Sequence, residues 1–341
     1  MRAKDRIRAI LDGKDVGTPL FAPLACAVAA TVEALDVRGF LRNPTKMTKG
    51  LQALSEAIES DAIVCCCPSA MEAEAVGAIL DWSTYPPRVV DPPDLMFPRS
   101  SASSKWEELV EEGVERVLLK APRIEAVIET IRRLGITKPG GRALIAALTG
   151  PATLAGQLVG ASFWEGIDAE QGDCVAALEA SGRIAIEFAR LVSEAGADAV
   201  IFVEERLPRA GGSGVVEWRS MVTPAAKVAR FYRVLPIVLV KELTDEHRSG
   251  WGDDPLGGAL ICLRAGREEV GSMVGPHATA LPVAASEWVL ESDFDPGCFV
   301  TTVGEISSTE KIPDLRSASQ KVRTALAIYT SGSSQNRVGG L

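Results

Sequence analysis

The sequence has no run of about 20 apolar residues free of turn residues, the length a helix needs to cross a bilayer. Its one uncharged stretch of that size, Ala143–Trp164, is broken by Thr149-Gly150-Pro151 and carries scattered glycines. That pattern reads as strand, tight turn and helix of a soluble protein, so no membrane partner is expected. There is no basic stripe, and the formal net charge is −9; nothing evident would neutralise a phosphate backbone, so no nucleic acid partner is expected. No GxGxxG follows the first expected strand, so the dinucleotide fingerprint of a doubly wound sheet is missing. The amino-terminal MRAKDRIRAILDGKD is a charged amphipathic helix without the long apolar segment of a secretory leader. Histidine is scarce, with only His247 and His277. The seven cysteines, three of them consecutive, suit a reducing cytoplasm better than a disulfide framework.

What is present describes a globular chain. Its 341 residues are 47% hydrophobic and 24% charged, with no second composition regime. The stretch Ala143–Gly160 is the clearest local signal. Ala143–Leu148 is small and branched without a charge, as a strand covered on both faces must be, and a helix begins on the proline after the turn. Similar extended runs are expected at Pro19–Ala25, Asp61–Cys67, Ala199–Val203, Pro236–Val240, Gly258–Leu263, Ala280–Ala285 and Phe299–Val303. Helical spacing is expected over Lys4–Leu11, Thr45–Ile58, Glu107–Val117, Arg123–Leu134, Cys174–Ala195, Pro224–Arg233 and Leu315–Ile328. Asp81–Ser104, rich in Pro, Asp and Ser, reads as a surface connection, and Leu207–Val222 as a glycine-hinged loop. About eight strands alternating with helices specify an α/β fold, a single (β/α)8 TIM-type barrel with an N-terminal helical extension. The barrel is expected over residues 1–330, with 331–341 a polar C-terminal tail.

GPATLAGQLVG, EAGADAVIF and PIVLV, in that order and spacing, resemble the uroporphyrinogen decarboxylase superfamily. DVGTPLFAP, EAEAVGA and PRIEAVIETIRRLG add to the resemblance over most of Met1–Val240. That superfamily also holds zinc methyltransferases that move methyl groups between corrinoids and thiols such as coenzyme M. The resemblance implies a barrel with its site at the C-terminal mouth. The family's chemical residues do not carry over. The arginine-rich segment after the first strand is LACAVAATVEAL here, and an aspartate past the second strand is replaced by Cys67-Pro68. A tyrosine falls at Gln157 and a late histidine near Gly304. The zinc ligands His-x-Cys fall at Val240 and Glu242, and the late cysteine at Gly304 or Glu305. Cys298 lies too early to take that place.

Residues at or just beyond strand ends converge at one mouth of a barrel. Glu204, Glu205, Lys241, Glu242, Arg264 and Glu305 have such positions, and paired carboxylates there suit acid–base work. Glu242, Glu204, Glu305 and Lys241 are the expected catalytic residues. Lys241 and Glu242 alternate in direction, so at most one of them faces inward unless the strand has already ended. Thr149, Gly150, Gln157 and Trp218 are the expected cofactor contacts, with Trp218 and Trp251 in lid-like loops. Glu242 and His247, with a cysteine, are the remaining zinc candidates. Cys65-Cys66-Cys67 alternate along a strand and cannot all face one metal. The resemblance implies a corrinoid-linked methyltransferase for a small organic substrate, using methylcobalamin held by the chain or by a corrinoid protein, in a homodimer. A lyase on a smaller, non-porphyrin substrate and a non-catalytic binding member are the alternatives.

Overall fold

The computed structural model describes residues 1–91, 113–137, 139–242, 244, 246–247, 256–264, 277–290 and 295–338. Eight parallel strands form a nearly closed barrel. They are β1 Leu20–Phe21, β2 Ala62–Cys66, β5 Ala143–Thr149, β6 Ala199–Glu204, β7 Leu235–Val240, β8 Leu260–Arg264, β9 Ala278–Leu281 and β10 Phe299–Thr302. Two shorter strands, β3 Ile79–Asp81 and β4 Arg88–Asp91, pair separately as an antiparallel hairpin. Around the barrel the order is β1-β10-β9-β8-β7-β6-β5-β2. Each barrel strand matches one of the extended runs in the sequence. β5, β6 and β7 are buried along their whole length, because a parallel strand has barrel core on one face and helices on the other.

The outer layer follows from amphipathic periodicity. Helix Gly172–Ala195 buries Cys174, Leu178, Ser181, Ala185, Phe188 and Val192, and ends at Gly196, whose φ of 107° is available to glycine. Helix Pro122–Thr137 buries Ile124, Val127, Ile128, Ile131 and Leu134. The first helix, Ala3–Leu11, buries Ala3, Ile7, Ile10 and Leu11 and touches β5 and β7.

Several segments differ from expectation. β1 is only two residues long, since Pro19 and Pro23 flank it and have no N–H for a ladder. Part of the expected surface connection after residue 80 belongs to the β3–β4 hairpin. The expected loop 207–222 is largely helix, Ser213–Phe231, with Pro224 inside it. Its buried Trp218, Val222, Ala225, Ala226 and Ala229 have helical spacing, a signal masked in the sequence by Gly211-Gly212-Ser213-Gly214. The last helix, Ile312–Val338, runs on through most of the segment expected to be a polar tail. The expected helix Glu107–Val117 lies mostly outside the described residues; a helix occupies Val114–Lys120.

No ladder joins β1 to β2, and Asp61 closes that seam. Its amide donates to the Phe21 carbonyl at 2.9 Å, and its Oδ2 accepts the Phe21 N–H at 2.9 Å. Its Oδ1 pairs with Arg6 at 2.8 Å and Arg323 at 3.2 Å, so the first and last helices both anchor on it. Asp61→Ala strands the enclosed Arg6 and opens the seam, with an expected loss of ~3 kcal/mol. Asp61→Asn keeps an acceptor for Phe21 and is expected to lose less; urea unfolding of the two variants checks the order.

Candidate functional site

The C-terminal ends of the strands form the mouth, and strand alternation decides what faces it. Glu204 pairs in register with Val240. Its carboxylate meets Thr153 and Trp218, both on surrounding helices, so Glu204 points away from the barrel axis. The next residues lie one step past the strand ends, where the Lys241 N–H still donates to the Glu204 carbonyl at 2.9 Å and carries the ladder on, so they point inward. They are Glu205 and Lys241, joined by a 2.6 Å ion pair. Consistently, a side chain at Gly304, past the end of β10, would begin only 3.3 Å from Lys241 Nζ. The inward row just below contains Thr149, Val203 and Leu239, in register across β5, β6 and β7.

Glu305 faces the same mouth from the β10 side. Its Oε1 accepts the Ala27 N–H at 2.6 Å, and its Oε2 accepts the Tyr85 hydroxyl at 2.6 Å. Ala27 belongs to the segment after β1, whose residues 22–30 are all buried. Tyr85 comes from the β3–β4 hairpin. Enclosure of the carboxyl pushes it up to about 7, against the two donors, which favour the charged form. The Cys67 thiol lies against it, and burial raises that thiol well above its ordinary range, so it stays protonated.

The β2 side is completed by a second buried acid and a buried cation. Glu72 accepts the Thr149 N–H and hydroxyl, each at 2.8 Å, and burial raises its carboxyl. Arg123, only 3% exposed, donates to Ser69 and to Glu74 at 3.1 Å. Its guanidinium stacks on Trp82 of the hairpin, 4.9 Å from the ring centre. Arg123 lowers both Glu72 and Glu305 through its charge.

The structure thus gathers only some of the residues expected from sequence. Glu305 and Lys241 stand in the mouth. Glu204 is a correction: it is wholly buried beneath helix Pro151–Val159, accepting Ala152 N–H at 3.1 Å, Thr153 N–H at 2.8 Å, Thr153 Oγ1 at 2.6 Å and Trp218 Nε1 at 2.7 Å. It satisfies amides that a helix start leaves free, and has no face for a substrate. Trp218 is its partner inside the helix layer and is fully buried, where a lid residue would be exposed. Gly150 is needed at the same place, since a Cβ there would meet the Glu204 carboxyl. Thr149 is held by Glu72. Gln157 is half-buried, with its Oε1 enclosed and meeting no donor among the described residues.

Glu242, two residues past the end of β7, is exposed. His247 has both ring nitrogens engaged. Nε2 lies 2.8 Å from the Pro208 carbonyl and must donate to it, leaving Nδ1 to accept from Thr244 Oγ1 at 2.7 Å. It fastens the segment after β7 to the segment after β6. Trp251 lies outside the described residues. Sequence reading missed Tyr85, Glu72 and Arg123; of these, only the scarcity of tyrosine, three in the chain, would have drawn notice to Tyr85.

Among the described residues no three His, Cys, Asp or Glu side chains are grouped to hold a metal ion. Cys298 sits at the start of β10, the end of the barrel opposite the mouth.

Residues 2–228 match the family described as uroporphyrinogen decarboxylase (URO-D). Among solved structures, a methyltransferase from Methanosarcina mazei is similar in fold, with a TM-score of 0.65 at 18% identity, over 95% of this chain and 98% of the other. No curated protein matches the sequence.

Two outcomes are expected from this arrangement. Burial pushes the Glu204 carboxyl from 4.5 up to about 7, so the folded state holds its proton more tightly than the unfolded chain. Its contribution to stability is then largest below about pH 4.5 and declines as pH rises through 7, by up to ~3 kcal/mol. Glu204→Gln is expected to flatten that part of the stability–pH curve measured by denaturant unfolding, while costing ~2 kcal/mol at neutral pH because its NH2 faces donors. Purified protein is expected to contain no stoichiometric zinc by elemental analysis, with a melting temperature unaffected by chelator.

Proposed function

We propose that this chain, which belongs to the uroporphyrinogen decarboxylase family, is a methyltransferase moving a one-carbon group to or from a small organic substrate. A methylcorrinoid, carried by a separate protein, is the proposed co-substrate. The observation that carries this reading is Glu305, a carboxyl at the mouth poised near 7 between a tyrosine hydroxyl and a backbone amide. Transfer of a methyl group from or to a heteroatom requires that atom to gain or lose a proton. A carboxyl that titrates near working pH does this in either direction. Tyr85 and the Ala27 amide hold Glu305 in place and steady its charged form.

Two further observations favour this role over decarboxylation of a porphyrinogen. The buried segment after β1 offers alanines and a backbone N–H where a polyacid would need cationic anchors. His247, on the mouth side, has both ring nitrogens engaged on Pro208 and Thr244, and His277 precedes β9 at the far end of the barrel. The described mouth therefore offers no imidazole to ligate cobalt, which favours a corrinoid borne by a partner.

The test is to mix purified protein with methylcobalamin and panels of thiol, alcohol and amine acceptors and to watch the corrinoid spectrum. Appearance of cob(I)alamin or cob(II)alamin supports the reading; no change with any acceptor class overturns it. Glu305→Gln is expected to lower kcat by about 10²–10³-fold with little change in KM. Tyr85→Phe removes a donor that favours the carboxylate, so the pH profile is expected to move to higher pH.

A further inference from the structure

Acid–base work by Glu305 leaves two cations at the mouth without a task. The ladder pairs Ile237 with Leu260, Val238 with Ile261 and Leu239 with Cys262. Two residues further on are Lys241, one step past β7 but still donating its N–H to the Glu204 carbonyl at 2.9 Å, and Arg264, the last residue of β8; continued from Leu239 and Cys262, the pleat turns both the same way. Neighbouring strands lie about 4.8 Å apart, so the two side chains rise next to each other. Lys241 reaches Glu205 at 2.6 Å and lies beside Gly304, which has no side chain to obstruct it. Arg264 is exposed and meets no carboxylate among the described residues. The row Glu205, Lys241, Arg264 carries one net positive charge. Beneath it lie Val203, Leu239 and Cys262, apolar and buried.

We propose that the substrate of this mouth is a small monocarboxylate with an apolar body, its carboxylate held by Lys241 and Arg264. A monoanion cancels the single excess charge of the row. A dianionic phosphate would leave negative charge next to Glu205 and Glu305. A guanidinium beside an ammonium offers the parallel donors a planar carboxylate accepts, and the apolar row beneath receives the rest of the molecule. Glu205 holds Lys241 until the substrate carboxylate competes for it. This assigns a substrate class to the proposed methyl transfer; it rests on that reading for the reaction alone, and carboxylate binding is independent of it.

Titration calorimetry on the purified full-length chain tests it without any methyl transfer. The probes are butyrate and benzoate, benzamide as the uncharged counterpart of benzoate, and inorganic phosphate. The expected result is one carboxylate bound per chain, with benzamide and phosphate at least tenfold weaker. Lys241→Met and Arg264→Met are each expected to weaken carboxylate binding about tenfold, ~1.4 kcal/mol. Glu205→Gln is expected to strengthen it severalfold by freeing Lys241. Lys241→Arg, which keeps the charge, retains binding and serves if the methionine variant fails to fold. Equal binding of benzoate and benzamide, tighter binding of phosphate, absence of carboxylate binding, or binding indifferent to both methionine variants overturns the proposal. Since no corrinoid is present, failure of the methyl-transfer assay leaves this result standing, and the reverse also holds.

Discussion

A strand can show a given side chain to only one of its two faces, and at the rim of this barrel that constraint sorts the chemistry. Glu204 and Glu205 are neighbours in the chain, yet one is sealed into the helix layer and the other faces the mouth. The pairing of Glu204 with Val240 fixes this for β6 and β7 together, because a slip of one residue would exchange every inward group for its neighbour. The mouth is therefore specified by ladder register deep in the core as much as by the residues that line it.

Burying a carboxyl without partners is prohibitively costly, and the protein resolves that cost in one way at three places. Glu72 takes both donors of Thr149, Glu204 takes the start of helix Pro151–Val159 together with Trp218, and Glu305 takes Ala27 and Tyr85. What separates them is access. Glu204 is wholly buried with four donors, a fastening between strand, turn and two helices. Glu305 keeps part of its surface and has one donor on each oxygen, one of them a phenol that burial holds in its protonated, donating form.

Most of the fold could be read from the chain, because eight runs of apolar residues bounded by turn residues carry their own explanation. The misreadings have physical causes. The hairpin that delivers Tyr85 consists of strands of three and four residues with no alternating pattern, too short for periodicity to detect. The helix bearing Trp218 begins in a glycine–serine cluster and contains a proline, both of which argue locally for loop. Its apolar spacing, which argues for helix, prevailed because six buried apolar side chains outweigh a weak start. Glu305 and Lys241 were within reach of sequence reasoning, since residues past strand ends gather at the mouth. Glu204 was not, since its direction depends on a register that only the assembled sheet defines.

The seam at Asp61 has a consequence for how the molecule opens. Elsewhere the barrel's circumference is held by ladders of backbone hydrogen bonds; between β1 and β2 it is held by one aspartate, a serine hydroxyl and two arginines from the chain's first and last helices. Undocking either terminal helix removes a countercharge from Asp61, so detachment of the ends and parting of the wall belong to one cooperative unit. The Cys26 thiol, against the Cys65 carbonyl higher on the same seam, lies along that line. Local opening here would bring water to the back of the Glu305 site from the side, by a route separate from the substrate's entrance.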